Sequence, residues 1–282
     1  MSHAALPVAE ARGGGRHRVY FSGRDAKGRA RIGWGEVDLA RPASWTVGGQ
    51  PSINLGRLGG FDDNGVTSSC LVTHGGRQFQ YYTGWSLGST VPFYLHAGLA
   101  VSDDGGRSFN RLSDAPLLDR SAVDPFLTAS PWVIVDNDVW RMWYVSATEW
   151  RIARGRPEHR YHIRYAESRD GIAWDRRGVV CIDFKSDDEY AIARPCVVRD
   201  GAFYRMWFSH RGDRYRIGYA ESSDGVVWRR LDEQAGIDVS LQGWDAEMIE
   251  YACVFDSGGR RLMLYNGNDY GRTGIGLAEW RG

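Results

Sequence analysis

Apolar positions along the chain come in short alternating runs closed by turn residues, and the runs recur. One aromatic run appears as Arg18-Val19-Tyr20-Phe21, Gln80-Tyr81-Tyr82-Thr83, Arg141-Met142-Trp143-Tyr144, Arg205-Met206-Trp207-Phe208 and Leu262-Met263-Leu264-Tyr265. A second run follows each: Ile32-Gly33-Trp34-Gly35-Glu36, Ala97-Gly98-Leu99-Ala100-Val101, Ile163-Arg164-Tyr165-Ala166-Glu167, Ile217-Gly218-Tyr219-Ala220-Glu221 and Ile275-Gly276-Leu277-Ala278-Glu279. These copies begin at 32, 97, 163, 217 and 275, so their starts lie 65, 66, 54 and 58 residues apart. An apolar segment precedes the aromatic run, as in Pro131-Trp132-Val133-Ile134-Val135, and turn residues with a short aromatic strand come last, as in Ser168-Arg169-Asp170-Gly171 to Trp174. Each unit reads as four strands joined by turns. A strand-built repeat of this length is the pattern of a β-propeller with one repeat per blade. Five copies predict an all-β fold: one five-bladed β-propeller of four-stranded antiparallel blades over 1–282. The blades fall roughly at 4–50, 62–113, 124–180, 188–232 and 245–282. The first blade requires Leu6-Pro7-Val8 as its inner strand, although the glycine run between Arg12 and Arg16 also reads as linker.

Composition adds exclusions. Lys plus Arg number 35 and Asp plus Glu 35, a formal net charge of zero, which supplies no general pull toward nucleic acid or an anionic membrane. No apolar stretch approaches the 18 or so residues of a membrane span, and the N-terminus lacks a signal-peptide pattern. The expected location is the cytoplasm. Of the four cysteines, Cys70, Cys196 and Cys253 each lie eight residues after an Asp (Asp62, Asp188, Asp245), and Trp132 holds that place after Asp124. A position shared by Cys and Trp is expected to be a buried packing site. The 12 Trp, 14 Tyr and 10 Phe suit blade-to-blade packing and sugar-binding clefts alike.

The two faces of such a propeller differ in sequence. On one, the turns are generic, as in Asp136-Asn137-Asp138. The outer Ser-x-Asp-x-Gly turn from Ser102 to Phe109 resembles the Asp-box of sialidases, its shorter relatives at Ser168 and Ser222 are similar, and the Asp of each is expected to clamp backbone N–H groups. The other face is richer in acids. The last four inner strands each begin at an Asp: Asp62 (followed by Asp63), Asp124, Asp188 and Asp245. Half of the expectation for these repeated Asp residues is structural. Glu189, Glu247 and Glu250 break the repeat, standing where other blades have Pro125, Phe126 or Ala129. Arg194 stands where others have Ser68, Ser130 and Tyr251. Hairpins on this face carry Trp85, Glu149-Trp150, His210-Arg211 and Asn266-Gly267-Asn268-Asp269-Tyr270. Carboxylates converging on a pit push one another's pKa values apart, which makes an acid and a base from like residues. Asp62, Asp63, Asp124, Glu189 and Glu247 are the catalytic candidates. Arg194, His210, Glu250, Trp85, Trp150, Tyr251 and Asn268 are the substrate-binding candidates. Acids around an axis would also suit a central Ca²⁺, but no EF-hand or zinc spacing is present, and no cofactor is expected. His159 and His162 are expected in a hairpin loop, facing solvent.

These features resemble the five-bladed propeller glycosidases: the arabinanase and β-xylosidase group (glycoside hydrolase family 43), the invertase and levansucrase group (families 32 and 68) and the mannoside phosphorylases of family 130. Trp244 to Tyr251, with Tyr265-Asn266-Gly267-Asn268, is similar to propeller proteins related to these enzymes. Val123-Asp124-Pro125 is similar to the Arg-Asp-Pro of invertases, with Val123 in place of Arg. The resemblance implies an orienting role for Asp124 and an acid role for Glu247 or Glu189. The family's first-blade Asp has no counterpart before Leu6, and Asp62 or Asp63 would substitute. The implied function is a carbohydrate-active enzyme that cleaves or transfers a glycosidic bond of a small glycoside. The alternatives are phosphorolysis, with Arg194, His210 and Arg211 binding phosphate, and a sugar-binding propeller without hydrolysis or one with other chemistry on a sugar-bearing metabolite.

Overall fold

The structure, a computed structural model, describes residues 1–280. Strands follow one another in antiparallel meanders, as the alternating runs predict. The first is β1 (Ser2–Gly13), β2 (Arg16–Arg24), β3 (Ala30–Asp38) and β4 (Thr46–Val47). Then come β5 (Gly65–His74), β6 (Arg77–Leu87), β7 (Phe93–Ser102) and β8 (Asn110–Arg111). The third is β9 (Thr128–Asp136), β10 (Val139–Ala153), β11 (Arg156–Ser168) and β12 (Val180–Ile182). The next is β13 (Ala191–Asp200), β14 (Phe203–Arg211), β15 (Tyr215–Ser222) and β16 (Arg229–Arg230), and the last β17 (Glu250–Ser257), β18 (Arg260–Asn266) and β19 (Ile275–Glu279). Leu6-Pro7-Val8 lies within β1, and the glycine run is the β1–β2 hairpin rather than a linker. The last meander has three strands among the described residues, one fewer than the repeat predicts. Beyond β19, Trp280 packs edge-on to Trp207, 6.0 Å away. No helix among the described residues is long and apolar enough to cross a membrane.

The first strands of successive meanders touch in a closed ring: β1 on β5, β5 on β9, β9 on β13, β13 on β17 and β17 back on β1. Each carries a β-bulge at the same repeat position, seen as a register shift against its partner at Leu6, Ser68, Ser130, Arg194 and Tyr251. A bulge frees a backbone N–H from the ladder, and a polar side chain of the preceding meander takes it up. Ser22 accepts from Ser68 N (3.0 Å), Thr83 from Ser130 N (2.8 Å) and Ser209 from Tyr251 N (2.8 Å). Asn266 accepts from Leu6 N (2.8 Å), so the last meander is locked to the first in the same way. At Arg194 the pattern changes. The Ser146 hydroxyl there has no partner, and the guanidinium crosses the ring instead.

Two further sets of contacts join meanders. The Cys70, Cys196 and Cys253 sulfurs accept from Val133, Val254 and Ala9 N–H of the next first strand, at 3.4, 3.1 and 3.5 Å. All four thiols are buried and free, so the packing role expected for them holds. Burial pushes the Cys70 thiol up to about 12. In the Ser-x-Asp turns, Asp104, Asp170 and Asp224 each accept two backbone N–H groups of their own turn. The turns in turn present glycine carbonyls to Tyr20, Tyr81 and Trp143 of neighbouring meanders at 3.0, 2.8 and 2.8 Å. The core between the sheets is filled by fully buried Trp143, Trp207, Tyr81 and Phe208, each worth roughly 2–3 kcal/mol of burial.

Candidate functional site

The repeated acids were expected to converge on a pit, but the structure gives most of them another role. The Tyr82 hydroxyl donates to Asp62 (3.0 Å), Tyr144 to Asp124 (3.1 Å) and Tyr265 to Asp245 (2.9 Å). Each tyrosine comes 20 residues after its Asp in the sequence. Arginines join Asp62 and Asp124 as well. Arg111 meets Asp62 at 2.7 Å, and Arg176 meets Asp124 at 3.0 Å with Arg164 at 3.4 Å. In the β13–β16 meander, Phe208 stands in the tyrosine's place and the charge moves one residue on: Arg230 grips Glu189 through both carboxylate oxygens (2.9 and 3.0 Å). Burial alone would push Glu189 up. His210 at 3.0 Å, Arg230 and the Lys185 N–H outweigh it and bring the carboxyl down to about 2. Asp62, Asp124 and Glu189 are thus buried anchors between the start of a meander and its outer strand.

The other candidates are dispersed. Asp63 accepts from Gly59 N (2.9 Å) within its own turn. Glu247 is exposed and faces Arg214 at 3.4 Å. Asn268 accepts from the Glu247 and Met248 N–H groups (2.9 and 3.1 Å) and fixes that loop. Trp85 lies over Gly65, where a Cβ would collide with its indole. Arg194, expected at a substrate, is 0 % exposed. It donates to the Pro7 carbonyl (3.0 Å) and to that of Ser69, tying β13 to β1 and β5 at the centre of the ring. With His210 held by Glu189, the trio Arg194, His210 and Arg211 is not gathered into one anion site.

A cavity of about 550 Å³ does open on the predicted face. Its walls come from the connections between second and third strands. The β6–β7 turn supplies residues 88–93 and the β10–β11 hairpin residues 156–159, with Tyr190, Arg211 and Tyr270 opposite. The long β10 and β11 raise that hairpin above the ring. Trp150 sits behind the wall, edge-on to Phe93 (5.4 Å) and His159 (5.6 Å). His159 also stacks on Tyr161 at 4.5 Å, so neither it nor the buried His162, bonded to Asp183 (3.1 Å), is the solvent-facing residue expected. Burial lowers the His159 imidazole to about 4, leaving it neutral. Beneath lie Tyr161 and Tyr215, hydroxyl to hydroxyl at 2.8 Å, with Tyr251 at 6.0 Å from Tyr215. Burial pushes all three hydroxyls up, so they stay protonated.

Glu250 begins β17 opposite Asn266 and is 0 % exposed. Neither carboxyl oxygen has a hydrogen-bond partner. Burial raises its pKa well above 4.5, exposed Asp269 adds to the rise, and the Arg211 charge opposes it. Burial of this kind favours the protonated, uncharged form of the carboxyl. Arg211, by contrast, keeps its charge. Its guanidinium donates to the Tyr270 hydroxyl (2.6 Å) and lies 5.3, 5.4 and 6.0 Å from the rings of Tyr190, Tyr215 and Tyr270. Left-handed backbone at Asp269 and Tyr270 (both φ 58°) turns the loop that carries Tyr270. Tyr270 on this face and Tyr251 and Glu250 as binding candidates were legible in the sequence, but Tyr190, Tyr161, Tyr215, a wall role for His159 and the carboxyl of Glu250 as an acid were missed. The departure of Glu250 from the repeat was the signal for the last of these.

No family model matches the chain. Among solved structures, a thermostable family-43 glycoside hydrolase superposes with a TM-score of 0.76 at 16% identity, covering 100% of this chain and 91% of that one. The endo-arabinase of Bacteroides thetaiotaomicron gives 0.70 at 15% identity (99% and 94%). The Bombyx mori family-32 β-fructofuranosidase BmSUC1 gives 0.69 at 14% identity (99% and 62%). The fold is therefore the β-propeller of these glycoside hydrolases. Two curated proteins of Mycobacterium tuberculosis, the uncharacterized proteins MT1551 and Rv1502, are each 48% identical over 284 aligned positions, covering 98% of this chain and 92% of their own length. The chain belongs to the family of these two mycobacterial proteins, which is built on the propeller fold of the glycoside hydrolases.

Proposed function

We propose that the chain is a five-bladed propeller whose meanders are its blades, and that it acts as a glycosidase-like enzyme on a small glycoside held in the cavity beside Tyr190, Arg211 and Tyr270. The observation that carries this reading is Glu250: a buried, unpartnered carboxyl whose protonated form burial favours, within electrostatic reach of the cavity's Arg211, on a fold shared with glycoside hydrolases. Protonating the leaving oxygen of a glycosidic bond needs a carboxylic acid that keeps its proton at working pH, and burial provides one. The aromatic faces supply the apolar contact that sugar rings stack on. Free, buried cysteines fit the reducing cytoplasm as its location. The test is turnover of a panel of aryl glycosides and oligosaccharides by the protein and by Glu250→Gln. Loss of about 10²-fold or more in rate with sugar binding kept is the expected result. Unchanged turnover in the variant would remove Glu250 as the acid.

A second reading, a sugar-binding propeller without hydrolysis, is favoured by one observation. Asp62 and Asp124 are each held by a tyrosine and arginine, and Glu189 by Arg230 and His210, so a second catalytic carboxylate is not assembled at the cavity. Sugar binding with no turnover by the unaltered protein would select it.

A further inference from the structure

We propose that the ligand of this cavity is an anionic sugar, carrying a carboxylate or a phosphate that Arg211 receives. This rests on the carbohydrate reading above and names its substrate class. The arginines around the site are nearly all matched to acids. Arg111, Arg176 and Arg230 hold Asp62, Asp124 and Glu189. Arg151 holds Glu158 at 3.1 Å, and Arg160 reaches Glu149 at 3.8 Å. Arg211 differs. Among the described residues it has no carboxylate within ion-pair distance. Its polar partners are the Tyr270 hydroxyl and, at 3.4 Å, the Asp213 carbonyl. It is only half-buried, with its guanidinium among the cavity walls.

The groups that could balance this charge are silent or turned away. Burial favours the protonated form of Glu250, and Glu158 on the lining is engaged by Arg151. Asp269 is exposed, outside ion-pair distance. Arg156 on the same lining adds to the positive potential. A guanidinium partly removed from water and lacking a counter-ion is an incomplete pair. Its planar fork matches a carboxylate or phosphate with two parallel hydrogen bonds. The tyrosine faces around it leave room for the sugar ring that bears the anion.

The experiment is isothermal titration of the full chain with glucose, galactose and mannose, their 6-carboxylates and 6-phosphates, and with inorganic phosphate and acetate. The unaltered protein, Arg211→Lys and Arg211→Met are compared, with melting curves to check that each variant folds. The expected result is that one anionic series binds at least about tenfold tighter than its neutral parents. Which series does so separates carboxylate from phosphate. Arg211→Met should lose that preference, so that anionic and neutral sugars bind alike, and Arg211→Lys should recover part of it. The preference should shrink as salt is raised. Equal binding of neutral and anionic sugars, unchanged in Arg211→Met, overturns the anionic assignment and leaves the glycosidase reading standing. Phosphate or acetate bound as tightly as the sugar anions keeps the anion site and removes the sugar. No binding of any probe overturns both.

Discussion

At the scale of single residues, identical chemistry has opposite uses in this chain, and the surroundings decide which. Asp124 and Glu250 are both 0 % exposed carboxyls. Asp124 has a tyrosine hydroxyl and two arginines on it. Glu250 has nothing. The first is an ion pair that ties the start of a meander to its outer strands; burial of the second favours its protonated form. Asp124→Asn would leave Arg164 and Arg176 facing a neutral amide, and removing one partner of a buried pair costs about 3 kcal/mol or more. Denaturant unfolding should show that loss, with sugar binding unchanged at concentrations where the variant is folded. Glycoside turnover that collapses in a stably folded Asp124→Asn would instead return this residue to the catalytic role that its likeness to the invertase Asp-Pro suggested.

At the scale of elements, the repeat made the strands legible and hid the anchors. Alternation, aromatic runs and Asp-Gly turns located the meanders, down to Leu6-Pro7-Val8 as the inner strand of the first. The tyrosine 20 residues beyond each Asp was written in the same repeat. Its meaning depends on the first and second strands being antiparallel neighbours, which a linear reading does not weigh. Arg194 was misplaced for a related reason: it sits at a bulge (φ 52°), and its side chain reaches the Pro7 and Ser69 carbonyls across the ring, which a linear reading does not locate. The cavity walls were illegible because they depend on how far the β10–β11 hairpin rises and on a strained loop at Tyr270. The bulges have their own test. Asn266→Ala removes the acceptor for Leu6 N and the donor to the Ala4 and Gly274 carbonyls (2.7 and 2.8 Å). A loss of about 2 kcal/mol is expected, with faster amide exchange concentrated in β1. Uniformly faster exchange across all meanders would mean that this seam is not a separate lock.

At the scale of the whole molecule, two carboxyls should shape stability against pH from opposite sides. Glu189 falls from its ordinary 4.5 to about 2 on folding. Its contribution is present above 4.5 and lost as pH drops toward 2. Glu250 is raised well above 4.5. The folded chain holds that proton where the unfolded chain releases it, so this contribution is present below 4.5 and is lost as pH rises through the folded value. Urea midpoints at pH 3, 5, 7 and 8 should therefore separate the two. Glu189→Gln should be much weaker than the unaltered protein at pH 7, with the gap narrowing toward pH 3. Glu250→Gln should be the more stable protein at pH 7 and 8, with its advantage vanishing toward pH 4. A Glu250→Gln variant less stable at pH 7 would show that this carboxyl is ionised and pairs with Arg211. In that case the cavity holds its own counter-ion, a neutral ligand fits it better than an anionic sugar, and the proton donor must be sought elsewhere on the pit.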